Sequence, residues 1–156
     1  MDGLDLTVLD RHPKNAVKLF KVMMRFEFAL KELGFTSTSR NGNVSVNWVK
    51  FSNESLTSSF YEKIKHSKVA EMLFAKPPSH QREEDGALSF VEASSPYDVQ
   101  ALIGAVCRVR NNLFHGGKSG DQDQDRNEEL INDALNILCE AIKSCEKLQA
   151  TFEGRY

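Results

Sequence analysis

The stretch that most restricts what this chain can fold into lies near its end. Ile131, Leu138, Cys145 and Phe152 recur every seven residues, with Ala134, Leu135, Ala141, Ile142 and Leu148 between them. At this spacing the apolar side chains share one face of a helix, whereas a strand would scatter them over both faces. A helix of about 25 residues suits one wall of an intramolecular bundle, with a coiled-coil dimer as the alternative. The rest of the chain must then supply the apolar surface that this face requires.

A second helix is expected from Pro13 to Leu33, where Leu19, Met23, Phe26, Leu30 and Leu33 step by three and four along one face. Pro13 suits a first helical turn and Gly34 a terminal cap. Lys14, Lys18, Lys21 and Arg25 form a basic row on the same helix. That row reads as a solvated face or as a surface for phosphate. Val17, Met24 and Phe28 lie beside it, off the main apolar face, and give the helix a second contact surface for a partner helix or subunit.

A third strong helical pattern, "SSPYDVQALIGAVCRVRNNLF", places Val99, Leu102, Ile103, Val106 and Leu113 on one stripe, with Ser94, Ser95 or Asp98 as its cap. Helix also resumes near Trp48 behind the cap Asn47, with Phe51, Leu56, Phe60 and Ile64 facing inward at less regular steps. "KVAEMLFA" adds about two turns. "TSTSRNGNVSVN" reads as a loop with room for one brief extended segment, and "KPPSHQREEDG" as a connection. With no set of strands, the expected architecture is all-α: one domain over residues 1–156, an antiparallel bundle of about four to five helices.

Composition narrows the functions available. With 156 residues and 40% hydrophobic content the chain can form one ordinary core. A formal net charge of −2 is unsuited to coating nucleic acid by bulk electrostatics, so any such contact must be focused. There is no apolar run long enough to span a membrane, and the acidic opening "MDGLDLTVLD" does not resemble a signal peptide, so a cytoplasmic location is expected. Cys107, Cys139 and Cys145 lie in apolar helical patterns without a C-x-x-C pair and read as reduced core thiols. His12, His66 and His80 lack companions at metal-ligand spacing and read as surface residues, so neither metal nor cofactor is expected.

The chemistry concentrates in "RVRNNLFHGGK", residues 108–118. A helical turn of 100° per residue sets Arg110 between Val106 and Leu113 on the inward stripe. An inward guanidinium needs carboxylates, carbonyls or an anion for its five donors, and Glu27, bordering the apolar face of the helix over 13–33, is the candidate partner. His115 follows at the helix end, before Gly116 and Gly117. An imidazole can exchange a proton near neutral pH and a guanidinium can stabilise charge, which are the two roles that metal-free cleavage of RNA requires. "NLFHGGKS" imitates a phosphate-binding loop, but Asn112 stands where its first glycine is needed and a helix precedes it, which excludes that reading.

"RNNLFH", residues 110–115, resembles the Arg-x(4–6)-His motif of the HEPN superfamily (higher eukaryotes and prokaryotes nucleotide-binding), with a polar residue following the arginine as is common there. "MRFEFALKELGF" and the long helices around the motif resemble the same kind of protein. The resemblance implies a HEPN-like helical homodimer and a metal-independent endoribonuclease, a toxin or defence effector with RNA as substrate and an antitoxin or other protein as partner. On that reading Arg110 and His115 are catalytic, while Asn111, Asn112, Lys118 and Glu27 contact or position the substrate. The alternatives are an inactive member that binds nucleotide or protein, and an adaptor working through Val17, Met24 and Phe28.

Overall fold

A computed structural model of the chain describes residues 3–115 and 123–155, with His115 described in its backbone alone. Helix α1 (Ala16–Glu32) buries Leu19, Met23, Phe26 and Leu30, the face its periodicity marks out. It starts after Pro13, at Asn15, whose backbone is left-handed at φ 64° and whose amide donates to Asn132 Oδ1 at 2.8 Å. At its other end Gly34 takes φ 82°. The Phe35 N–H then reaches Leu30 O at 3.0 Å and the Gly34 N–H reaches Lys31 O at 3.1 Å, so two otherwise orphaned carbonyls are satisfied by a Schellman turn.

The polar stretch after α1 forms a hairpin. Strands β1 (Thr36–Thr38) and β2 (Val44–Val46) pair antiparallel, Thr36 opposite Val46. Helix α2 (Trp48–Phe51) follows, capped as expected by Asn47, whose Oδ1 accepts from the Lys50 N–H at 2.9 Å. A π-helical turn over Ser52–Leu56 leads into α3 (Thr57–Ser67), and α4 (Glu71–Ala75) packs on the long helix over Gln124–Lys143. Phe26, Phe35, Trp48 and Phe51 meet in an aromatic cluster, with ring centroids 5.4–6.0 Å apart in the pairs that touch.

The segment expected to be a mere connection contains strand β3 (His80–Glu84), which pairs antiparallel with β4 (Ala87–Val91). The turn between them is Asp85-Gly86, at φ 52° and 77°. Both central residues at positive φ is what a two-residue I′ hairpin turn demands. Helix α5 (Val99–His115) then opens at Asp98, whose Oδ1 accepts from the Ala101 N–H at 2.7 Å.

The last helix is two helices. α6 (Gln124–Lys143) and α7 (Glu146–Glu153) are separated at Cys145, whose φ of −137° and ψ of 114° are extended. Apolar side chains nonetheless continue inward across the break: Leu138, Ala141, Ile142 and Leu148 are buried. The pattern reports which residues face the core, and it is preserved through a change of helix direction.

The all-α expectation is therefore corrected. The described residues form a mixed α/β fold, seven α-helices with two separate two-stranded antiparallel sheets, around a core supplied chiefly by α1, α3, α5 and α6. Two smaller readings also change. Cys139 is exposed, not a core thiol, and His80 is half-buried, where desolvation first, then Arg108 and Arg82, lowers its pKa.

Candidate functional site

α1 and α5 lie side by side and antiparallel, since Phe20 meets Phe114 and Glu27 meets Arg110. The expected Arg110–Glu27 pair is present: Nη2 donates to Oε1 at 2.6 Å, with both side chains about three-quarters buried. Glu27 leaves part of the guanidinium unmet. Among the described residues Arg110 Nε is buried without an acceptor. Leaving such a donor unpaired costs about 1–3 kcal/mol.

The other candidate residues go elsewhere. The Asn112 side chain is buried and its Nδ2 donates to Ser79 O at 2.8 Å, holding the loop before β3. Arg108 Nε donates to Pro78 O at 2.7 Å, and burial lowers its pKa. Asn111 is exposed to solvent. The side chain of His115 and all of Lys118 lie outside the described residues. So the structure joins Arg110 to Glu27 and directs Asn112 away from both.

The Cys107 thiol beside them is held in its neutral form. Burial pushes its pKa up to about 12, outweighing the opposing effect of Arg110. Among the described residues no group of three His, Cys, Asp or Glu side chains is placed to hold a metal ion, and no helix is long and apolar enough to cross a membrane.

What the α1–α5 pair presents outward is apolar. Val17, Phe20, Met24 and Phe28 run along α1, and Phe114 joins them from α5, its ring centroid 5.2 Å from that of Phe20. Each of the five is between 39% and 59% exposed. A shallow groove of about 230 Å³ opens at the start of this stripe, lined by His12, Ala16, Val17, Phe20, Leu113 and Phe114. Lys14, Lys18 and Lys21 flank it, all exposed. Arg25 leaves the expected basic row: it donates to Phe152 O at 2.7 Å and Thr151 O at 3.0 Å, capping α7, and lies 4.7 Å over the Phe28 ring.

Sequence reasoning found Val17, Met24 and Phe28 and missed Phe20 and Phe114. For Phe20 the signal was available, three residues after Val17 and four before Met24. Phe114 could be placed on the stripe only once α5 was known to lie against α1.

No family model, no curated protein and no solved structure matches the chain. With the two β-hairpins, this overturns the HEPN resemblance and the endoribonuclease assignment that followed from it. The RNA substrate, argued also from the chemistry of an arginine near a histidine, has no support among the described residues, where Arg110 pairs with Glu27. What remains on the α1–α5 surface is an ion pair and an apolar stripe.

Proposed function

We propose that this chain is an assembly domain, which pairs with a second copy of itself through the α1–α5 face. One observation carries the reading: five large apolar side chains from two helices form one continuous exposed surface, where isolated exposed apolar residues would be ordinary. The Arg110–Glu27 pair supports it by tying the two helices together, so that they offer a fixed face. Rigid surfaces lose less entropy when they dock.

Sedimentation of the full chain across a wide concentration range tests this. The unsubstituted protein is expected to dimerise, and Met24→Asp to raise the dimer Kd at least about tenfold, since it places a carboxylate in an apolar contact. Val49→Asp, at an exposed apolar residue on α2, is the control and should leave the Kd unchanged. A chain that stays monomeric throughout, or a Met24→Asp variant that dimerises as well as the control, overturns the assignment.

A further inference from the structure

The residues just before α1 form a second exposed apolar surface, of opposite charge. Leu4, Leu6, Val8 and Leu9 are between 36% and 66% exposed, and Asp5 and Asp10 stand among them. A single 3₁₀ turn over Thr7–Asp10 organises this segment and buries none of its side chains. Its hydrogen bonds close on the segment itself: the Thr7 N–H and Oγ1 donate to Asp5 Oδ1, the Leu9 N–H to Leu6 O and the Arg11 N–H to Val8 O. Ordering so many apolar side chains in water gains little by itself.

The α1 stripe is its complement, apolar and flanked by Lys14, Lys18 and Lys21. The face alone also falls short of a standard interface, which takes roughly 20–30 residues from each side. The segment enlarges it.

Resting on the assembly reading above, we infer that the occupant of the α1 face includes the segment Gly3–Asp10 of the second copy, the two copies exchanging these segments reciprocally. The segment leaves from His12, which lines the groove at the start of the stripe, while the Lys14 N–H and the Asn15 side chain are held by Glu128 and Asn132 of α6. In a two-fold pair each copy then supplies one acidic apolar segment and one basic apolar face. Such an exchange closes at two chains.

The test uses the full chain with both Leu6→Asp and Leu9→Asp, followed by sedimentation, alongside Met24→Asp. Both should raise the dimer Kd at least about tenfold. A chain carrying photoreactive benzoylphenylalanine at position 9, mixed with a ¹⁵N-labelled copy, should give cross-links to residues 17–28 that join light and heavy chains. If Met24→Asp breaks the dimer while the Leu6, Leu9 double variant leaves it intact, the exchange is overturned and the assembly reading stands. Cross-links confined to one chain, or directed away from α1, overturn the exchange as well. If neither variant weakens the dimer, or no dimer forms, both readings fail.

Discussion

Asp133 carries its charge where the fold gives it little water. It sits on α6 and accepts the Leu73 N–H at 2.8 Å, so its carboxylate meets the start of α4. Burial pushes its pKa from 3.8 up to about 6; the hydrogen bonds from Leu73 and Met72 oppose this, and Glu129 and Glu71 add to it. Between those two pH values the folded chain holds a proton that the unfolded chain has released. This group's contribution therefore favours folding most fully below about pH 4, and that advantage is lost as pH rises through about 6. Asp133→Asn keeps an oxygen acceptor for Leu73 and removes the charge. It should stabilise the protein at pH 7.5, by on the order of 1 kcal/mol after discounting for the solvent that still reaches this half-buried group. Urea unfolding at pH 7.5 and pH 4 checks it: the advantage should shrink at the lower pH, where the folded carboxyl is already neutral, and an asparagine variant less stable at pH 7.5 alone would show that the helix start needs the charge.

The elements show where sequence reading succeeds and where it stops. The inward residues Phe51, Leu56, Phe60 and Ile64 were legible, and their first step of five already held the π-helical turn, since the Thr57 N–H reaches back five residues to Ser52 O. The turn is followed by strain. Thr57 has φ 64° and ψ 178°, a conformation that a β-branched residue rarely adopts. Thr57→Gly should relieve it, and after the entropy lost by glycine on folding a net gain of about 1 kcal/mol is expected in thermal or urea unfolding. A loss would mean that the Thr57 hydroxyl, 3.0 Å from that of Ser59, outweighs the strain. The hairpins were only partly legible, for a different reason. β1 and β2 have three residues each and bury little: the alternation of Val44 and Val46 allowed one brief extended segment, but nothing in "TST" marked its partner. β3 is "HQREE", and its charges and the two prolines before it obscured the Asp85-Gly86 turn, although "ALSFV" after that pair was the stronger local signal.

At the scale of the whole molecule, helical faces could be read from periodicity but the neighbours of each face could not. Glu27 was found for Arg110 because both border the same apolar interior, whereas Asn112, on α5 like Arg110, points at a loop whose path no local pattern fixes. That loop, Lys76–Ser79, joins α4 to the β3–β4 hairpin and is pinned from two helices at once. Arg108 and Asn112 of α5 donate to Pro78 O and Ser79 O, and Arg126 of α6 donates to Pro77 O at 2.7 Å and Lys76 O at 3.3 Å. Prolines supply carbonyls without N–H groups, so these acceptors need outside donors. Beneath the loop, a cavity of about 30 Å³ lies between Pro13, Pro78, Val109, Leu113, Leu130 and Ile131, so the pins also fix how α5 meets α6. Asn112→Ala leaves the Ser79 carbonyl unmet and should cost about 1–3 kcal/mol. Arg126→Ala frees the other end of the same loop, and a loop already released by one substitution has less to lose from the second. The double variant should therefore fall short of the sum of the single losses by at least about 0.5 kcal/mol, the coupling expected of residues that share one structural partner. Exact additivity in urea unfolding would show that the two pins hold the loop independently.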